Sequence, residues 1–185
     1  WGAGCSIQQQ EGKAIFSSTG SANSPLCILH AGSDPASEVG ILEAMIYAQP
    51  GAEGNYNIGV VEFVAELSPD KFWFAQCGVF QDPNNQWLTA GLNVDTSNSG
   101  EGANDFYGYD NSIVYDQWNK FRIELHPVTM EVNCYLNDTL IASHLPQQAD
   151  ILKNKELYYE LVSFWSNDTK SAYYYDDVRI YPGTP

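Results

Sequence analysis

The chain has 185 residues, enough for one domain with a sizeable core, and 44% of them are hydrophobic, which excludes a disordered tail. Twenty-three acids stand against eight bases, a formal net charge of −15, and such a field repels phosphate backbones and anionic membranes, so nucleic acid is excluded as a partner. No apolar run reaches the length of a membrane-spanning helix, so no membrane insertion is expected; neutral ligands and cations stay open.

Apolar residues alternate with a period of two from one end of the chain to the other, the pattern of half-buried strands. "GKAIFSS" and "PLCILHA" come first. Gly40 to Gln49 sets Ile41, Glu43, Met45 and Tyr47 on one face and Leu42, Ala44, Ile46 and Ala48 on the other. Ile58 to Leu67 follows, with Val61, Phe63, Ala65 and Leu67 on one side and Val60, Glu62, Val64 and Glu66 opposite. "KFWFAQCGVFQ", "QWLTAGLNV", "KFRIELHP", "MEVNCYLN", "TLIASHL", "LYYELVSFW" and "AYYYDDVRIY" complete about ten or eleven strands, in the range of a sandwich. Gly, Pro, Asn, Asp and Ser cluster between them. Pro146 to Asn154 is the one helical piece, about a turn long. Asp95 to Ser112 is the longest irregular segment, and long loops on a sandwich carry function. No internal repeat or linker divides residues 1–185, so a single domain is expected; Trp1 as the first residue reads as a processed or excised fragment of a larger protein.

Three short motifs carry a resemblance. A tryptophan precedes an alternating strand in "WNKFRIEL" (Trp118 onward), a tight hairpin follows in "YLNDTLIA", and the chain closes on "YYYDDVRIY". In this order they resemble the concanavalin A-like, or laminin G-like, jelly-roll superfamily. The resemblance covers the C-terminal two-thirds best. Asp138 stands where the superfamily usually has glycine, and Asp tolerates the left-handed backbone of such a turn. The implied fold is all-β: a two-sheet antiparallel jelly-roll β-sandwich.

The resemblance also implies a structural calcium, held by an aspartate of the last strand. If Val178 and Ile180 face the core, Asp176 points inward, and a buried carboxylate needs a donor or a cation. Asp176 and Asp177 are therefore the candidate calcium ligands. The competing reading is that Asp176 accepts a backbone N–H and Asp177 pairs with Arg179.

Hydrolases of the resembled fold carry paired glutamates on one strand. Here Glu62 and Glu66 share a face, but the "E-x-D-x-E" of laminarinase-like enzymes is broken by Val64. Residues four apart on a strand have Cα atoms about 13 Å apart, against a carboxyl separation of about 5–5.5 Å in retaining glycosidases. Glu62 and Glu66 thus read as two acids on a solvated sheet face, with Glu43 a further candidate. The alginate-lyase set of Arg, Gln, His and Tyr is not recognisable. His30, His126 and His144 are scattered and read as surface or strand-end residues.

Aromatic rings stack on the C–H faces of sugars while neighbouring amides and acids bond the hydroxyls. The candidates are Trp87, Trp165, and the loop residues Tyr107, Tyr109, Asp110 and Asn111. Trp73 and Trp118 read as core residues. Four cysteines without a C-x-x-C spacing suit an oxidising compartment, placing the protein outside or on the surface of a cell. Cys5 pairs naturally with Cys27; Cys77 and Cys134 either pair or stay as buried thiols. The expected function is a non-catalytic, extracellular module that binds a glycan or other neutral ligand. A glycan-cleaving enzyme and a structural or protein-interaction domain are the alternatives. Oligomeric state is not legible.

Overall fold

The computed structural model describes residues 5–18, 26–36, 40, 41–48, 57–81, 88–95, 104–109, 113, 116–126, 128–145, 149–165 and 172–181. Thirteen strands run through these residues: β1 (Cys5–Gln10), β2 (Lys13–Ser18), β3 (Leu26–Pro35), β4 (Ile41–Ala48), β5 (Asn57–Ser68), β6 (Lys71–Gln81), β7 (Leu88–Asp95), β8 (Asn104–Tyr109), β9 (Trp118–Leu125), β10 (Val132–Leu136), β11 (Thr139–His144), β12 (Glu156–Trp165) and β13 (Ala172–Tyr181). The expected helical piece is a 3-10 turn, Ala149–Leu152.

Two strands were not foreseen. β1 is rich in glutamine and lacks an apolar rhythm. β8 lies inside the segment read as irregular, because "NDFYGY" is flanked by turn residues on both sides. Both gain their ladders from a neighbour, β2 and β7 respectively, so tertiary pairing overrides weak local preference.

All described pairings are antiparallel. One sheet has the order β1-β2-β13-β4-β9-β10-β11 and the other β3-β12-β5-β6-β7-β8. The alternation assigned from sequence decides which face turns inward. Leu42, Ala44 and Ile46 meet Phe121, Ile123 and Leu125 from the first sheet; Val61, Phe63, Ala65, Trp73 and Leu92 meet them from the second, all essentially inaccessible to water. Each large apolar side chain removed from water this way contributes about 1.5–3 kcal/mol. The fold is therefore the two-sheet antiparallel sandwich.

The β10–β11 turn shows why aspartate serves where glycine is usual. Asn137 and Asp138 both take left-handed backbone (φ 48° and 66°), as a two-residue hairpin of the right twist requires. Asn137 Oδ1 also accepts the Lys120 amide at 2.9 Å, and its own amide donates to the Lys120 carbonyl at 2.8 Å, so the turn is docked onto β9.

The end of the chain corrects one expectation. Tyr173 and Tyr175 are the inward residues of β13, both fully buried, while Val178 and Ile180 are 39% and 37% exposed. The premise that would have turned Asp176 inward therefore fails. A bulge is the reason: Asp176 opposes Met45 and Arg179 opposes Glu43, leaving both Asp177 and Val178 opposite Ala44. Asp177 takes the left-handed conformation this needs (φ 49°).

Both cysteine pairs are joined. Cys5–Cys27 ties β1 to β3, and Cys77–Cys134 ties β6 to β10 through the core, so each bridge crosses from one sheet to the other. The reading of Cys77 and Cys134 as free thiols is set aside.

Candidate functional site

The outer face of the six-stranded sheet carries one polar row. Strand register places His30, Glu160, Glu62, Gln76, Asn93 and Phe106 side by side on β3, β12, β5, β6, β7 and β8. Each belongs to the outward phase of its strand, so their side chains share a surface. Among them the hydrogen bonds run in one direction. Asn93 Nδ2 donates to Gln76 Oε1 at 3.0 Å, and Gln76 Nε2 donates to Glu62 Oε1 at 3.1 Å. The buried Oδ1 of Asn93 has no hydrogen-bond partner among the described residues.

Glu62 corrects a second expectation. Its face is not solvated: only 6% of the residue is exposed, beside an apolar cluster of Ile58, Val60, Phe80 and Val162 on the same outer surface. Glu66, four residues on, is exposed and makes no pair with it. Burial, reinforced by the charge of Glu160, pushes the Glu62 carboxyl up to about 8, against the Gln76 hydrogen bond, which favours the anion. Glu160 is also raised by burial, but His30 opposes the shift, with Nδ1 3.8 Å from Glu160 Oε1. Of the two facing carboxyls, Glu62 keeps the proton near neutrality, and Glu160 is the one with a histidine beside it to favour its anion. Directly opposed residues of an antiparallel pair have Cβ atoms about 4.5–5.5 Å apart.

A ladder of glycines, Gly78, Gly91 and Gly108, runs beside the polar row on β6, β7 and β8. The Phe106 ring lies over Gly91, where a Cβ would stand 2.7 Å from it, and the residue is 49% exposed. Phe106 is thus a half-open aromatic platform at one end of the row. Gly78 has a different reason. A Cβ there would lie 2.7 Å from Val60 Cα and closer still to the Gly59 carbonyl oxygen, backbone that cannot move aside. Gly78→Ala is expected to lower stability by about 1–3 kcal/mol through overpacking, read as a lower urea midpoint with an unchanged slope.

Of the residues proposed from sequence as ligand contacts, only Tyr107 has a described side chain. Tyr107 occupies the inward phase of β8, and its hydroxyl lies 3.0 Å from Nδ1 of His144 on β11, so it joins the two sheets at their rim. Burial holds the His144 imidazole below its ordinary range. The side chains of Tyr109 and Trp165, and all of Trp87, Asp110 and Asn111, lie outside the described residues. Glu43 is buried on the other sheet, opposite Arg122 and Arg179 and 3.9 Å from Lys120 Nζ, a place that makes it the centre of an ion network. Asp177 is bonded by both Nε and a terminal nitrogen of Arg179, at 2.9 and 2.7 Å. Asp176 Oδ1 accepts the Asp177 amide at 2.8 Å.

Calcium takes six to eight oxygens. The Asp177 carboxylate is engaged by Arg179, and no group of three or more His, Cys, Asp or Glu side chains that could hold a metal occurs among the described residues, so a calcium at Asp176 would draw its remaining ligands from backbone carbonyls. The melting temperature is expected to stay within about 1–2 °C when EDTA is added; a larger fall, restored by calcium, would assign Asp176 to a cation.

Sequence reasoning missed Glu160, Gln76, Asn93 and Phe106. Glu160, Gln76 and Asn93 were in plain view on expected strands, whereas Phe106 lies on β8, which was not foreseen. The missing fact was that β12, far along the chain, inserts between β3 and β5.

No known family's sequence profile matches the chain, and no curated protein matches it either. Solved structures do. An alginate lyase from Pseudomonas aeruginosa is 11% identical over 95% of this chain and 85% of its own, with a TM-score of 0.67. A glycoside hydrolase family 16 endo-glucanase from Bacteroides ovatus is 9% identical over 97% and 86%, TM-score 0.63. A functionally unknown protein from Saccharomyces cerevisiae is 8% identical over 97% and 93%, TM-score 0.58. At these identities the likeness shows the fold, which is the concanavalin A-like jelly roll expected from the three motifs.

Proposed function

We propose that the chain is a glycan-cleaving enzyme of the retaining glycoside hydrolase type, acting on a neutral glycan at the outer face of the six-stranded sheet. The observation that carries this reading is the facing pair of Glu62 and Glu160, one carboxyl raised by burial to about 8 and the other raised by burial but opposed by His30. Facing positions on paired strands set their Cβ atoms about 4.5–5.5 Å apart, which puts the two carboxyls within reach of the separation of about 5–5.5 Å used for retention of configuration.

The chemistry follows from the two environments. Glu62 gives its proton to the glycosidic oxygen as the bond to the anomeric carbon breaks. The Glu160 carboxylate bonds to that carbon from the other side. Water then attacks the glycosyl-enzyme, Glu62 takes the water's proton, and both carboxyls return to their starting states. Phe106, half-exposed, offers a stacking surface.

A neutral substrate is favoured over a uronate. The row contains no lysine or arginine to neutralise a substrate carboxylate, and the chain's charge of −15 repels polyanions. The solved neighbours include proteins named as glycan-cleaving enzymes of both kinds. The two disulfides support an oxidising, extracellular setting.

The test is release of reducing ends from β-1,3-glucan, mixed-linkage glucan and alginate, with the product anomer read by proton NMR. Cleavage of a neutral glucan with retention, lost in Glu160→Gln, supports the reading. Unsaturated products from alginate would overturn it. The half-exposed Phe106 platform also favours a second reading, a module that binds glycan without cleaving it; binding to the same polymers with no product from any of them would select that one.

A further inference from the structure

The outer face of the other sheet carries an aromatic basket. Register places Ile15, Tyr174, Tyr47 and Trp118 in one row across β2, β13, β4 and β9. Contrary to the sequence expectation, Trp118 is not in the core; it is half-buried on this outer face. The Tyr47 ring meets Trp118 at 5.5 Å and 60°, and Tyr174 at 5.8 Å and 90°, so the three rings form walls at steep angles. The β1–β2 turn closes one side with Gln10, Glu11 and Lys13, around a cavity of about 390 Å³. That volume falls within the range of small-molecule sites, about 300–1,000 Å³.

We propose that this basket binds a single neutral pyranose unit, a chain end or side branch of a glycan, at a second site apart from Glu62 and Glu160. Rings at steep angles give one sugar two apolar walls; they cannot underlie an extended chain, which needs coplanar platforms. A cationic ligand is the other usual occupant of an aromatic cage. Here the Lys13 ammonium, 5.4 Å from the Trp118 ring centroid, already occupies that cation-binding face. The same ammonium and the Gln10 amide donate to sugar oxygens, while the Glu11 carboxylate accepts from hydroxyls. The Cys5–Cys27 bridge anchors the hairpin that supplies these three residues, so the wall is held in place.

The choice of a glycan as ligand rests on the function proposed above, but its test does not need turnover. Glu62→Gln protein is titrated with laminaritetraose, cellotetraose and xylotetraose, following the Trp118 indole N–H by NMR. The expected result is a saturable shift with at least one sugar, weakened about tenfold in Tyr174→Leu; in Trp118→Ala, which has no such indole, calorimetry reads the same loss of binding. Tyr174→Leu keeps an apolar residue in the row and guards against loss of folding in the tryptophan variant. In the cleavage assay, Tyr174→Leu is expected to keep its rate on short soluble substrate. No indole shift up to the solubility limit of all three sugars overturns the proposal. So does a shift with tetramethylammonium and with none of the sugars, which would assign the basket to a cation. A shift without cleavage in wild type leaves this site standing and removes the hydrolase reading.

Discussion

Glu62→Gln is expected to lose at least about a hundredfold in glycan cleavage, the lower end of what general acid catalysis contributes, while gaining stability at alkaline pH. The two effects share one cause. A carboxyl raised to about 8 in the folded chain, from 4.5 when unfolded, binds its proton more tightly in the native state. Its stabilising contribution is fully present below 4.5 and lost as the pH rises through about 8, because the unfolded state has released that proton and the folded state must follow. Glutamine is neutral at every pH and can still accept the 3.1 Å hydrogen bond from Gln76. The difference in melting temperature between variant and wild type is therefore small near pH 4 and largest above pH 8. The underlying energy is on the order of a few kcal/mol, shared with Glu160 through their coupling. For a chain of this size that is roughly 5–10 °C. A residue that weakens the fold where it performs chemistry is the signature of a working site. A variant that melts lower than wild type at pH 8.5 would mean that Glu62 is ionised and structurally paired.

Removing the Cys77–Cys134 bridge is expected to be the most destabilising change in the core. Both residues are fully buried, and the bridge spans 57 residues of sequence, joining β6 to β10 across the sandwich. Loop-closure entropy for that span corresponds to about 4 kcal/mol, and the double Cys→Ala variant should melt roughly 8–16 °C lower. Cys5–Cys27 spans 22 residues and holds only the edge hairpin to β3. Its loss should cost less globally but should loosen the wall of the aromatic basket. Mild reductant without denaturant is expected to open Cys5–Cys27 first, because Cys5 is half-buried at a sheet edge. Mass spectrometry after alkylation reads the order, and early loss of Cys77–Cys134 would contradict it.

Period-two patterning determined most of the architecture before any contact was known. Val61, Phe63 and Ala65 could be sent inward, and Glu62 outward, because neighbours on a strand must take opposite faces. By the same rule Phe121, Ile123 and Leu125 share one face, and the structure makes that face the buried one. The N-D turn was legible because few residue pairs tolerate two left-handed positions in succession. Trp118 was misread because a large aromatic before an apolar strand looks like core; its phase, opposite to Phe121, was the available clue.

Only the tertiary structure decided the site. Alternation says that Glu62 and Glu160 point away from the core, but it cannot say that β12 pairs with β5 and sets one against the other. That pairing joins segments nearly a hundred residues apart, chosen by the closure of the whole sandwich. The extra residue at Asp177, which re-aims the end of β13 and exposes Val178 and Ile180, was hidden for the same reason. Local physics assigns each side chain to a face; which faces become neighbours depends on the global packing of two sheets around one core, and burial shifted the Glu62 carboxyl only once that packing was complete.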